Sequence, residues 1–255
     1  VNSLIKKARE LLHDGKCIYG PFMKTSDPMF VEIAGIAGFD FVILDVEHGP
    51  VGIESQQNNV RAAEARDMIP IIRLKDKNEN TISKALDIGA YGIQVPQIMT
   101  ASEAEDVVKY AKFYPYGMRG VCRFVRAADY SNMDRYEYFE SSKDVLVILQ
   151  LEGIDAINNL DEILEVDGVD ILFIGPYDLS QSLGLPGKVN DPVVVNAMMK
   201  IVNKAKSKNK IVGCFVDTLD DLKMWRDIGV QYISYSVDAG IFMDACKSIK
   251  QECIR

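Results

Sequence analysis

The sequence predicts a (β/α)8 barrel preceded by one N-terminal helix, and three observations carry that prediction. Eight short apolar runs alternate with eight amphipathic segments along the chain. Four joints repeat one pattern: Ala37-Gly38-Phe39-Asp40, Ile88-Gly89-Ala90-Tyr91, Asp167-Gly168-Val169-Asp170 and Ile228-Gly229-Val230-Gln231. In each, Gly closes an amphipathic segment just before an apolar run, supplying the left-handed conformation that ends a helix at no steric cost. Finally, the chain has 255 residues, of which 48% are AVILMFWYC, ample for one large core. One barrel domain spanning 1–255 fits that size better than two small domains.

The elements come in order. Residues 3–13 read as the first helix, with Ser3 or Asn2 as its N-cap. Strands are expected at 17–20, 39–44, 69–73, 92–95, 145–151, 170–174, 211–216 and 231–236. Continuous apolar runs of this kind belong to strands buried on both faces, as in a parallel sheet. Helices are expected at 28–37, 53–66, 79–88, 101–111, 156–165, 193–208, 219–228 and 241–251. The lysines of 204–210 then sit at a helix C-terminus, where cations complement the helix dipole. The repeats are unequal in length, which excludes a solenoid. Residues 114–143 break the rhythm. They show no clear element and carry Pro115, Gly117, Gly120, four arginines and three aromatics near the end. A long loop in a compact domain is usually functional or part of an interface.

Composition excludes several classes. The net charge is -8 and no Lys/Arg-rich stripe is present, so nucleic acid is not expected as a partner. Five widely spaced cysteines without a CxxC argue against a disulfide framework and a structural zinc site. No signal peptide and no apolar stretch approaching ~18 residues is found, so no membrane association and a cytoplasmic location are expected.

A barrel carries its chemistry at the C-terminal ends of its strands. Glu152 and Asp178 stand just past the fifth and sixth strands, so two carboxylates converge on one point. A hard divalent cation is the usual answer to that repulsion. The alternative is that both are solvent-facing loop acids or helix-start acids. The second strand ends in Asp45-Val46-Glu47-His48, and the chain has only two histidines. Asp45 is placed to orient the His48 imidazole as a base. Arg73 ends the third strand, either in a salt bridge to Asp45 or Glu47 or as a fixed cation beside a developing oxyanion. Gln97, Gln150, Tyr177, Asp217 and Asp238 fall at other strand ends.

Absences matter equally. No Lys ends an expected strand, which removes the nucleophile for Schiff-base chemistry. The seventh and eighth strand ends lack a Gly-rich phosphate cradle, which disfavours a phosphosugar. No GxGxxG follows a strand. Oxygen ligands favour Mg²⁺, Mn²⁺ or Co²⁺ over zinc.

With these residues in hand, the chain closely resembles the HpcH/HpaI family of class II pyruvate aldolases, which includes 4-hydroxy-2-oxo acid and 2-dehydro-3-deoxyglucarate aldolases. The resemblance rests on 38–48, Leu86-Asp87-Ile88-Gly89-Ala90, Val95-Pro96, Gly117-Met118-Arg119-Gly120-Val121, Arg126-Ala127, Gln150-Leu151-Glu152 and Ile174-Gly175-Pro176-Tyr177-Asp178-Leu179-Ser180. These blocks run through most of the chain in family order. The resemblance implies a divalent metal held by Glu152 and Asp178, with His48, oriented by Asp45, as general base. It implies that Arg73 contacts the keto oxygen, that Gln150 lines the site, and that backbone N–H groups around Pro176-Tyr177-Asp178 hold the substrate carboxylate. Arg126 and Asp87 match positions that help complete a neighbouring subunit's site in a hexamer, in which the last helix packs on a partner. The implied reaction cleaves a 4-hydroxy-2-oxo acid to an aldehyde and a pyruvate enolate. The sequence departs from the pattern at Tyr177, where a small residue is common, in the loop 122–130, and at Val216-Asp217. These departures put the substrate in doubt. A 2-oxo acid decarboxylase, a citrate-lyase-like acyl-CoA lyase using the Arg119/Arg123/Arg126 cluster, and a non-catalytic barrel are the competing readings.

Overall fold

The computed structural model describes residues 3–254; Asn2, the alternative N-cap of the first helix, lies outside the described residues. Eight strands close into one parallel barrel in sequence order. They are β1 Ile18–Met23, β2 Phe41–Asp45, β3 Ile69–Arg73, β4 Gly92–Val95, β5 Leu146–Leu151, β6 Ile171–Ile174, β7 Ile211–Val216 and β8 Tyr232–Val237. All four glycines of the repeated joints adopt positive φ, from 84° at Gly168 to 106° at Gly229, the conformation their position requires.

Two apolar layers hold the barrel. The outer layer packs one face of the strands against the surrounding helices, for example Val42, Ile72, Val147 and Leu172 against Val60, Ile82, Leu160 and Ile201. The inner layer fills the barrel with Phe22, Phe41, Ile43, Ile71, Ile148, Phe173 and Tyr232. Phe41 and Tyr232 stack with ring centroids 4.0 Å apart. Helix α1, Ser3–His13, buries Ile5, Ala8 and Leu12 against this inner layer. It covers the end of the barrel where the strands begin, with Arg9 anchored to Asp170 at 2.8 Å. Each such Ile or Leu contributes about 1.5–3 kcal/mol of burial.

The helices around the barrel are α2 Pro28–Ile36, α3 Ile53–Glu64, α4 Glu79–Asp87, α5 Ala101–Ala111, α6 Arg135–Ser141, α7 Ile154–Asn158, α8 Leu160–Leu164, α9 Pro176–Ser182, α10 Pro192–Ser207, α11 Leu219–Ile228 and α12 Asp238–Glu252. Four differences from the sequence expectation have physical reasons. Strand β1 runs three residues past Gly20, crossing Pro21 at an irregularity in its pairing with β8, where the missing proline N–H costs no regular ladder bond. The helix expected at 156–165 is two short ones broken at Asn159, which leaves the helical conformation and whose side-chain Nδ2 donates to the Met99 carbonyl at 2.8 Å. Residues 114–143 hold structure after all: a 3-10 turn at Arg126–Ser131, then α6, capped by Asp134. Both pack on a small aromatic cluster of Phe113, Tyr138 and Phe139. Helix α9 is too short for periodicity to reveal it.

Helix α12 is the exception to the packing rule. Of its 15 residues only Asp238 is buried, while Ile241, Phe242, Met243 and Ile249 are exposed. No helix among the described residues is long and apolar enough to cross a membrane.

Candidate active site

Parallel pairing builds the first half of the site. Asp45 and Arg73 are register partners at the ends of β2 and β3, so their side chains emerge together on one face. Arg73 Nε donates to Asp45 Oδ1 at 2.9 Å and Nη2 donates to Oδ2 at 2.7 Å, a bidentate clamp. The Asp45 residue is 0% exposed. Burial pushes its carboxyl upward, but the hydrogen bonds and charge of Arg73, with the backbone N–H groups of His48 and Glu47, outweigh this and hold it below the ordinary value. Beneath the guanidinium lies the Phe22 ring, 4.6 Å from Cζ to centroid. Glu47 Oε2 is buried 3.2 Å from Arg73 Nη1, near enough for ion pairing but without a hydrogen bond. Burial, and the charges of Asp45 and Asp178, raise the Glu47 carboxyl despite that arginine.

The second half comes from β4, β5 and β6. Gln94 and Gln150 are buried inside the barrel, and Gln94 Nε2 donates to Gln150 Oε1 at 2.8 Å. Gln150 Nε2 in turn donates to Glu152 Oε2. The other carboxylate oxygen accepts the Gln97 backbone N–H at 2.9 Å. Gln97 holds a left-handed φ of 55°, a conformation that costs energy and recurs at functional positions. Gly175 is required by close approach: a Cβ there would stand 2.7 Å from Glu152 Oε2. Glu152 is 6% exposed. Burial above all, then the Asp178 and Glu47 charges, push its carboxyl up to about 7 against the hydrogen bonds from Gln150 and Gln97.

Asp178 lies in the first turn of α9, behind Pro176 at the helix start, and is exposed toward the same space. Among the described residues, no three His, Cys, Asp or Glu side chains form a ready metal-ligand group. The donor set is instead two carboxylates, with a third, Glu47, close enough for its charge to reach both. One or two carboxylates, completed by water and an oxygen-rich substrate, are what Mg²⁺ usually takes from a protein. The buried Glu47 oxygen without a hydrogen bond and the raised Glu152 both mark a place short of positive charge, so the residues fit a hard cation.

Beside these groups opens a cavity of about 490 Å³ on the strand C-terminal rim, lined by His48, Arg73, Gln150, Pro176, Tyr177 and Asp178 among others, with Asp45 and Glu152 directly behind Arg73 and Gln150. The structure therefore brings together most of the residues expected from sequence. Two expectations need correction, those for Asp45 and for lysine at the rim, while Arg126, expected to serve a neighbouring subunit's site, stands away from this one. Asp45 does not touch the His48 imidazole: it accepts the His48 backbone N–H at 3.3 Å and spends its remaining capacity on Glu47 N–H and Arg73. The imidazole is 57% exposed, with Nε2 4.0 Å from Glu47 Oε2. Arg126 does not line this cavity. Its guanidinium pairs with Glu64 and donates to the Ile88 carbonyl at 3.3 Å, at the opposite end of the barrel. There it borders a larger cavity of about 700 Å³ near the strand N-terminal ends. The neighbouring Asp87 is likewise held by Arg119 at 2.5 Å. Finally, a lysine does reach the catalytic rim. Because β1 extends to Met23, Lys24 follows a strand end, with Nζ 3.9 Å from Asp45 Oδ2. Phe22 and Lys24 were missed because the first strand was expected to end at Gly20, before Pro21, and Gln94 because its apolar run gave no face alternation that would have sorted inward from outward positions.

Comparison with known proteins agrees with the barrel fold and identifies the family. The family model for HpcH/HpaI aldolase/citrate lyase matches residues 19–245. The hydroxypyruvate/pyruvate aldolase of Roseobacter denitrificans is 33% identical over 244 residues, covering 94% of each chain. A solved HpcH/HpaI aldolase/citrate lyase family protein from Burkholderia cenocepacia J2315 superposes with a TM-score of 0.93 at 29% identity, covering 100% of both chains. The solved citrate synthase SbnG superposes with a TM-score of 0.86 at 30% identity, covering 97% of this chain and 98% of that one. The chain belongs to the HpcH/HpaI aldolase/citrate lyase family and is an enzyme of its aldolase type, a carbon–carbon lyase.

Proposed function

We propose that the enzyme reversibly cleaves a 4-hydroxy-2-oxo acid to pyruvate and an aldehyde, using a divalent cation, Mg²⁺ or Mn²⁺ by donor hardness and Co²⁺ as a substitute. The observation that carries this reading is the charge imbalance at Glu152. A rigidly held carboxylate is raised to about 7 by burial and by Asp178 and Glu47, behind Gln150 at the wall of a cavity whose buried Arg73 is committed to Asp45. When bound, the cation would supply Lewis-acid polarisation of the 2-oxo acid.

The chain's own residues do the rest. Arg73 uses Nε and one N–H of Nη2 on Asp45 and points Nη1 at Glu47, which leaves N–H groups for the substrate keto oxygen. Its clamp keeps it in place before charge develops, the arrangement that stabilises a transition state without reorganisation. His48, on the exposed edge, takes the proton of the C4 hydroxyl. The C3–C4 electron pair then moves to the enolate of pyruvate, the C4 oxygen becomes the aldehyde carbonyl, and a proton returns to C3. Gln150 and the backbone around Pro176, Tyr177 and Asp178 position the carboxylate end. The decisive experiment is hydrogen–deuterium exchange at the pyruvate methyl group. Exchange is expected to need Mg²⁺ or Mn²⁺ and to disappear in Glu152→Gln. Exchange that persists in chelator would overturn the metal reading.

The likeness to a citrate synthase favours keeping a second reading, condensation of a 2-oxo acid with an acyl-CoA. Arg119, Arg123 and Arg126 speak against it. All three are spent inside the chain, on Asp87, on the Ser131 and Met133 carbonyls, and on Glu64. Acetyl-CoA with oxaloacetate belongs in the same assay.

Assembly as a homo-oligomer is part of the proposal, a hexamer by family resemblance. The exposed apolar side of α12 supports it. In such an assembly Arg126 and Asp87 would serve a neighbour's site rather than their own. Five free cysteines support a reducing compartment such as the cytoplasm.

A further inference from the structure

The proposed chemistry uses the cavity wall built by β2, β3, β5 and β6. The remaining wall is built by β7, β8 and β1, which are neighbours in the closed barrel. Each of these strands brings one polar side chain to the cavity: Asp217 after β7, Ser236 in β8 and Lys24 after β1. Each is held there. The Tyr177 hydroxyl donates to one Asp217 oxygen, and its ring meets Phe215 edge-on at 6.1 Å. Ser236 adopts a left-handed φ of 54°, rare for a residue with a side chain. The Lys24 and Thr25 backbone N–H groups both donate to Asp238 Oδ2, at 3.0 and 2.8 Å, which fixes the end of β1.

We infer that this arc is the subsite for the aldehyde, and that it selects a short, uncharged, hydroxylated aldehyde over an apolar or an anionic one. The inference rests on the aldolase reading above. With the keto and carboxylate groups engaged by β3, β5 and β6, the carbon chain beyond C3 is left to face the other strands. The donor and acceptor inventory there is mixed. Asp217 keeps one oxygen beyond the Tyr177 bond as an acceptor, and Ser236 offers a hydroxyl that both donates and accepts. Lys24 Nζ, at 3.9 Å from Asp45, lies beyond hydrogen-bond distance and keeps its donors for a ligand. Asp217 and Lys24 bring opposite charges to the arc. A hydroxyl satisfies both. A methyl group would desolvate them without replacement, and a second carboxylate would meet Asp217 for every contact it gained with Lys24.

Three two-carbon aldehydes test this: glycolaldehyde, acetaldehyde and glyoxylate, each condensed with pyruvate. Glycolaldehyde should have the highest kcat/KM, by about tenfold or more, because a site built for a hydroxyl rejects the analogue that lacks it. Asp217→Ala and Lys24→Met should each cut the glycolaldehyde-to-acetaldehyde ratio about tenfold, mainly through the aldehyde KM. Lys24→Met should also lower any turnover of glyoxylate, and Asp217→Ala should raise it. Ratios are taken within each variant, so a general loss of activity cancels. Tyr177→Phe, which keeps the ring and frees Asp217, is the milder variant and should move the ratio in the same direction. A wild-type preference for acetaldehyde or glyoxylate, or ratios unmoved in all three variants, overturns the subsite. Absence of pyruvate methyl exchange in the wild type overturns the aldolase reading and this inference together.

Discussion

Replacing Asp45 with Asn changes one atom in a buried pair, and the hydrogen bonds around it set the consequences. The carboxylate accepts two hydrogen bonds from Arg73, at 2.9 and 2.7 Å, and the backbone N–H groups of Glu47 and His48, at 3.1 and 3.3 Å. An amide oxygen at Oδ1 keeps the Nε bond and both backbone bonds. An amide nitrogen at Oδ2 then confronts Arg73 Nη2, donor against donor, and the buried guanidinium loses its counter-charge except for Glu47 at 3.2 Å. Breaking one side of a buried pair in this way costs about 3–5 kcal/mol. Turnover should fall by about 10²–10³, since Arg73 is no longer fixed for the keto oxygen. Urea unfolding at neutral pH measures the first, and pyruvate methyl exchange the second. The sign with pH is determined. Asp45 is held below its ordinary value, so its stabilisation is present above that value and is lost as pH falls through the lowered one. The gap between Asp45→Asn and wild type should therefore stay constant near neutrality and close in strong acid. Pairing Asp45→Asn with Arg73→Met should cost less than the two single changes added together, because the orphaned cation is gone. A loss below about 1 kcal/mol, or a gap that widens in acid, would refute the clamp as described.

Glu152 gives the opposite pH sign. Raised to about 7, it favours the metal-free fold below its ordinary value, and that contribution, roughly 3 kcal/mol at 1.36 per unit, is lost as pH rises through 7. Thermal melts in chelator should show a loss with rising pH that is smaller in Glu152→Gln. Mg²⁺ should reverse it, with affinity increasing about tenfold for each unit of rising pH below 7. Gly175→Ala should keep the fold but displace Glu152 Oε2, weakening Mn²⁺ binding about 10–100-fold by titration. Phe242→Asp, on the exposed side of α12, should lower the mass seen by light scattering without unfolding the barrel. Borohydride with pyruvate should leave Lys24 unmodified, since its Nζ faces the Asp45 carboxylate at 3.9 Å; a reduced adduct would point to Schiff-base chemistry instead.

Much of the fold was legible because barrel strands are buried on both faces and their helices end in left-handed glycines, both local signals. Glu152, Asp178, His48 and Arg73 were legible as strand-end polar residues once the strands were ordered. What escaped depends on contacts distant in sequence. The Asp45 carboxylate turns to Arg73 because register places those two residues side by side, whereas the three-residue spacing to His48 suggested the imidazole. Lys24 was hidden by Pro21, which reads as a strand terminator but here sits at an irregularity in the β1–β8 pairing. Arg126 carries the family motif, yet its own chain uses it on Glu64.

The rim is thus divided by burial. Asp45 with Arg73, and Gln94 with Gln150 and Glu152, form two buried hydrogen-bonded groups, so the groups that would meet developing charge are fixed before substrate arrives. His48, Tyr177 and Asp178 are exposed, and Asp217 and Lys24 are half-buried. Substitution in the first set propagates through every neighbour, as it would from Asp45 or from Gly175 beside Glu152. Substitution in the second set alters one contact with the ligand. A family that keeps one enolate chemistry while changing the aldehyde would place its variation at the members of that second set outside the base and the donor carboxylates, leaving His48 and Asp178 alone. That is where this chain carries Tyr177 and Asp217, hydrogen-bonded to each other across the ends of β6 and β7.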